Sequence, residues 1–129
     1  MSLEIRTGSF EETKHLHSAG KKERVTFANP LESVWWVAEL DGKVVGCVCA
    51  VIKPPKARFK SDFVSEEFRH QGIYRQLFKA RFLYALKHGA KNVSAFCTKL
   101  SKPTYYRYGF TQKSIRNGIS FMTWPNSPK

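Results

Sequence analysis

The stretch Arg69-His70-Gln71-Gly72-Ile73-Tyr74-Arg75 has the residue types and spacing of an anion site. It lies between a run of strand formers ending at Val64 and a run with helical spacing that begins at Ile73. A turn that feeds a helix leaves several backbone N–H groups without partners, all pointing one way. The positive end of the helix dipole adds to them, which suits phosphate. Gly72 lets the backbone approach an anion closely. Arg69 and Arg75 put positive charge at a helix start, where it is mildly unfavourable unless an anion neutralises it. His70 is also placed for phosphate, whereas His88 belongs to the far end of the helix.

Proton chemistry has fewer candidates. The 129 residues include 22 Lys and Arg against 10 Asp and Glu, a formal net charge of +12. Residues 1–67 hold all ten acids and ten of the bases, so residues 68–129 carry twelve bases and no acid. A carboxylate base must therefore come from the first half. Glu39 closes the strand-like run Val34–Glu39. Asp62 sits among Phe59, Phe63 and Val64, where it must either stay protonated or find a salt bridge. Arg58 and Lys60 are the neighbouring partners. Folding does not demand such an uneven charge, and self-repulsion opposes the compact state. The second half therefore reads as facing something anionic.

The elements that must position these residues follow from the apolar spacing. Leu3 to Arg6 reads as a strand. Ser9 caps a helix from Phe10, with Glu12 completing a capping box, and the helix fades at Gly20. Asn29-Pro30 marks a turn. Asp41-Gly42 joins Val34–Glu39 to a return strand over 44–52 in a tight hairpin. Pro54-Pro55 breaks that strand. A third strand runs from Arg58 to Val64, with Phe59 and Phe63 interleaved with Lys60 and Asp62. A helix over 73–87 places Ile73, Leu77, Ala80 and Tyr84 on one face and ends at Gly89. Val93 to Cys97 is a strand, Pro103 starts a short helix that stops at Gly109, and Ile119 to Trp124 is the last strand. This order gives a single mixed α/β domain over residues 1–129. No apolar run is long enough to cross a bilayer, and the first residues lack a signal-peptide pattern. Cys47, Cys49 and Cys97 make a poor disulfide framework and read as free, half-buried thiols of a reducing, cytoplasmic setting. No metal-ligand set is apparent.

The segment from Val64 to Leu77, with Arg69 and Gly72, resembles the acetyl-CoA-binding segment of the GNAT N-acetyltransferases. Tyr74 departs from it, since that family prefers a small residue there. Ser101-Lys-Pro-Thr-Tyr105-Tyr-Arg-Tyr-Gly109-Phe110 resembles the family's short-helix segment, and Thr98 stands where Asn is frequent. The resemblance implies a GNAT-like acyl-CoA N-acyltransferase fold, a mixed and mostly antiparallel central sheet flanked by helices. It implies a strand ending at Val64 that splays from the 93–97 strand, with pantetheine in the gap along Phe63 and Val64. It implies diphosphate on the N–H groups of Gln71, Gly72, Ile73 and Tyr74, and Tyr105 donating a proton to, or polarising, the departing thiolate.

The implied activity is transfer of an acetyl group from acetyl-CoA to an amine. The phosphates of CoA use only part of the positive charge, so the acceptor is expected to be acidic or associated with DNA or RNA. Lys99, Lys102, Arg107, Lys113 and Arg116 are the expected nucleic-acid contacts, with nearby aromatic residues for stacking. Two other functions fit the same residues: a nucleic-acid-binding or nucleobase-modifying protein on this fold, and a structural module with a degenerate CoA site. Either a monomer or a homodimer is compatible with the chain.

Overall fold

The computed structural model of the chain describes residues 2–125. Strand β1 (Leu3–Gly8) leads into a tight helical segment, Phe10–Leu16, continued by α1 (His17–Lys22). The capping box is present: the Glu12 amide donates to the Ser9 hydroxyl at 3.3 Å, and the Ser9 amide donates to the Glu12 carboxylate at 2.9 Å. Strands β2 (Ser33–Leu40) and β3 (Lys43–Lys53) form the expected hairpin. Asp41 and Gly42 both adopt positive φ, as a two-residue turn that matches strand twist requires. Then follow β4 (Lys56–Val64), α2 (Ile73–Lys87), β5 (Asn92–Cys97), α3 (Lys102–Arg107), β6 (Thr111–Arg116) and β7 (Ile119–Trp124).

The strands form one sheet in the order β1-β2-β3-β4-β5-β7-β6. Every neighbouring pair is antiparallel except β4 and β5, which run parallel with α2 as the connection between them. That parallel pairing covers only Lys56–Phe59 against Asn92–Ala95. Beyond Phe59 the two strands separate, so the segment from Lys60 to Val64 keeps a ladder with β3 alone.

The larger core lies between the sheet and α2, with Phe59, Phe78, Phe82, Phe110 and Met122 at its centre. A smaller core of Leu16, Trp35, Val37, Cys47, Cys49 and Phe63 packs on the other face, covered by the segment around Phe10 and Leu16. All three thiols are free and fully buried rather than half-buried. Burial raises all three thiol pKa values, that of Cys97 to about 11. No helix among the described residues is long and apolar enough to cross a membrane.

Three differences from the sequence expectation concern the site. The strand β6 was not expected. It is a polar, exposed edge strand without apolar alternation, although Asn117-Gly118 behind it is a hairpin signal, and both residues adopt positive φ. On α2 the buried face is Ile73, Leu77, Phe78, Arg81, Phe82 and Ala85, with Ala80 and Tyr84 at its margin. Phe59 and Phe63 lie on opposite faces of the sheet rather than the same one. The cause is a bulge: the register with β3 shifts between Cys47 and Cys49, and Ser61 takes a φ of 62°. The extra residue moves Asp62 onto the α2 face that Phe59 occupies.

Candidate active site

The turn before α2 holds His70 and Gly72 in left-handed conformations, with φ of 66° and 80°. Gly72 is the N-cap and offers no side-chain acceptor to the first turn. The first helical bond there runs from the Gln76 amide to the Gly72 carbonyl at 3.2 Å. The amides of Ile73, Tyr74 and Arg75 thus have no intrahelical partner. A Cβ placed on Gly72 would meet no atom within 4 Å, so the space before the turn is open.

That space belongs to a cleft of about 570 Å³. Of the residues expected to hold a cofactor, Phe63, Val64, Arg69, His70, Gly72, Ile73, Tyr74, Arg75 and Thr98 line it, and Gln71 does not. Arg107 from α3 lines it as well. The cleft runs into the gap between β4 and β5, where a second cavity of about 220 Å³ adjoins it. Val25, Asp62, Thr98 and Ser101 line both. Arg69 is held from two sides: its Nε donates to the Val64 carbonyl at 2.8 Å and its Nη2 to Glu23 at 2.6 Å. This pair ties the end of α1 to the phosphate-type turn. Glu23 carried no sequence signal for that role.

Asp62 is the centre of a buried network. Arg81 Nη1 donates to its Oδ1 at 2.6 Å and Nη2 to its Oδ2 at 2.8 Å. The hydroxyls of Tyr105 (2.9 Å) and Tyr74 donate to Oδ2. Asp62 does find a salt bridge, but with Arg81 and not with Arg58 or Lys60, because the bulge turns it towards α2. Arg81 is 0% exposed, lies 4.1 Å from the Phe59 ring centroid and also donates to the Cys49 carbonyl. Burial opposes its charge, and Asp62 more than offsets that, so its pKa is raised. Burial, and then the Asp62 charge, push Tyr74 and Tyr105 well above the ordinary phenol range. Sequence reasoning missed Arg81 because it searched the helix face for apolar residues. Its position between Leu77 and Ala85 at helical spacing was the available signal.

Three expected roles meet this geometry differently. Tyr105 is 1% exposed and lines neither cavity; its hydroxyl points to Asp62 instead of the cleft. Both oxygens of Asp62 are occupied by donors, which leaves it poorly placed to accept a proton from an amine. Glu39 pairs with Arg6 at 2.8 Å, beside the Arg6–Glu12 pair, and lines neither cavity. Tyr74 accommodates its bulk by turning its phenol inward to Asp62, with Phe78 edge-on at 6.1 Å. The five expected nucleic-acid contacts are spread out. Arg107 lines the cleft, Lys102 donates to Gln112 at 3.0 Å, Lys99 is exposed after β5, and Lys113 and Arg116 are exposed on the edge strand β6.

Replacing Arg81 with Met would strand the Asp62 carboxylate in the interior. The expected cost is about 3–5 kcal/mol in urea unfolding. Adding Asp62→Asn to that variant should recover a large part of the loss. A cost below about 1 kcal/mol for Arg81→Met, the level of an exposed pair, would mean that the ion pair does not hold these elements.

Comparison with known proteins places this geometry. Residues 32–112 match the model of a family described as the acetyltransferase (GNAT) domain. N-acetyltransferase 8 of Mus musculus is 31% identical over 121 residues, covering 87% of this chain and 53% of that protein. The chain therefore spans about half the length of this curated relative. Among solved structures, the PaiA N-acetyltransferase from Thermoplasma acidophilum in complex with coenzyme A superimposes with a TM-score of 0.77 at 17% identity, covering 95% of this chain and 98% of that one. The N-acetylglutamate synthase from Neisseria gonorrhoeae, complexed with coenzyme A and N-acetyl-glutamate, gives 0.74 at 14% identity, covering 95% of this chain and 35% of that one. At these identities the likeness is one of fold. The family match takes in the splayed strands, the turn at Gly72 and the whole of α2, and the chain belongs to the GNAT acetyltransferase family.

Proposed function

We propose that this chain is an acyl-CoA-dependent N-acyltransferase that takes acetyl-CoA as donor and passes the acyl group directly to an amine. One observation carries this reading: the edge of β4 from Lys60 to Val64, which has no strand beside it on the β5 side, borders a cleft that ends at the uncapped first turn of α2. An extended pantetheine needs backbone partners for its amides, and the open strand edge supplies them. A diphosphate needs convergent N–H donors, and the amides of Ile73, Tyr74 and Arg75 supply those. Arg75, His70 and Arg107 add side chains around the same space. Bound acyl-CoA supplies a thioester carbonyl activated towards amines.

The remaining work falls to positioning. Asp62 and Arg81 fix β4 where it leaves β5, and Tyr74 and Tyr105 tie the turn and α3 to that pair. We assign Tyr105 to this framework rather than to proton donation at the thiolate, because its hydroxyl is committed to Asp62. The amine would reach the thioester through the second cavity, which shares Asp62 and Thr98 with the cleft.

Gly72→Val should weaken CoA binding by at least about tenfold, or 1.4 kcal/mol, by calorimetry. Gly42→Val, at a similar positive φ in the β2–β3 turn, controls for backbone strain. Equal CoA affinity in folded Gly72→Val protein would refute the placement. Tyr105→Phe should cost about 1 kcal/mol of stability through the lost hydrogen bond. Its turnover at saturating donor should fall by no more than a few-fold. A fall of about a hundredfold in kcat at unchanged stability would return Tyr105 to the role of proton donor.

A further inference from the structure

The second cavity is lined by three cationic side chains that have no carboxylate partner among the described residues. Among the described residues the Arg58 guanidinium makes no hydrogen bond or ion pair, and that of Arg24 donates only to the Asn117 carbonyl. Lys60 donates to the Ala28 carbonyl at 2.8 Å and the Ser61 hydroxyl at 3.0 Å, with its ammonium over the Trp35 ring at 5.3 Å. One acid, Asp62, lines this cavity, and Arg81 and two tyrosines already occupy it. The other charged lining is therefore all positive, in a space of about 220 Å³ that opens beside the cleft.

We propose that this cavity is the acceptor subsite and that it selects a compact amine bearing a carboxylate, the chemistry of a free amino acid. The proposal rests on the donor site described above and gives its acceptor a class. A carboxylate paired with Arg58 and Lys60 would offset charges that otherwise repel one another across the same cavity. A diamine or a lysine-rich peptide would bring further positive charge to the same place. The cations also favour the neutral form of an incoming amine, which is the form that attacks. Burial lowers the pKa of Lys60 in the same surroundings. In the transfer, the amine nitrogen forms a bond to the thioester carbonyl carbon and the carbon–sulfur bond breaks. The sulfur leaves with the electron pair of that bond, and the proton lost from nitrogen ends on sulfur, directly or through solvent. No base from the second half of the chain is required, in keeping with its lack of acids.

The test uses protein saturated with CoA, after CoA binding has been measured by itself. A panel of N-acetyl amino acids with small, aromatic and basic side chains is compared with the corresponding N-acetyl amino acid amides, which differ only in lacking the carboxylate charge. Binding is followed by calorimetry. Acetyl transfer to the parent amino acids, to their amides and to 1,4-diaminobutane is followed by mass spectrometry. The carboxylates should bind at least about tenfold more tightly than the amides. Arg58→Gln, at an exposed position, should narrow that ratio to about twofold. Amides or the diamine favoured over carboxylates would overturn the proposal, as would the absence of carboxylate binding at millimolar concentration in protein that binds CoA. An unchanged ratio in Arg58→Gln would overturn the assignment of Arg58. Failure of CoA itself to bind would instead overturn the donor site, and with it this subsite.

Discussion

Where β4 loses its partner, a fully buried arginine from α2 meets a carboxylate that a bulge has turned inward. Either charge alone in that interior would cost several kcal/mol, so neither can shift without the other. The pair therefore fixes the distance between α2 and the strand. Tyr74 extends the constraint to the turn before α2, and Tyr105 extends it to α3. Three walls of the cleft are thus referred to one carboxylate. A pair of apolar side chains could fill the same volume with no smaller stability. They would not specify direction, and the gap between β4 and β5 depends on direction. The aromatic rings of Phe59 and Phe78 pack against the guanidinium and keep water from it.

The uneven charge of the sequence takes a different meaning in three dimensions. Two bases of the acid-free half are neutralised by acids of the first half, Arg69 by Glu23 and Arg81 by Asp62. These contacts sew the second half onto the first beside the cleft. Other acids are spent within the first half, as in the Arg6 pairs with Glu12 and Glu39, which hold β1 to the Phe10–Leu16 segment and to β2. The hydrogen bonds that Arg6 donates to Glu12 and to Glu39 raise its pKa. What remains exposed around the cleft and the second cavity is largely cationic. This distribution suits the phosphate-bearing donor and the carboxylate-bearing acceptor proposed above.

Local signals in the sequence carried much of the fold. Ser9 with Glu12, Asp41-Gly42, and the glycine before Ile73 each report a backbone requirement that only a few residue types meet, and each lies where it was expected. The strand β6 escaped because its side chains face solvent and show no alternation, so only its turn could betray it. The bulge at Ser61 escaped because an inserted residue reverses the facing of everything after it, and no residue type there announces the insertion. Arg81 and the inward turn of Tyr74 and Tyr105 escaped for a shared reason. Their positions are set by the one carboxylate they must satisfy, a long-range partner that periodicity along the chain does not reveal. The directions of these side chains decide which groups touch the cleft, so the site was legible in its backbone and less so in its chemistry.

Donor binding as proposed uses two backbone elements, the first turn of α2 and the edge of β4 that β5 leaves free. Amide chemical shifts of uniformly 15N-labelled protein during a CoA titration test it most directly. The largest changes should fall on residues 72–75 and 60–64, with the β1–β2 ion-pair region almost still. Unmoved amides in those two segments, with changes gathered on the edge strand β6 or absent throughout, would contradict it.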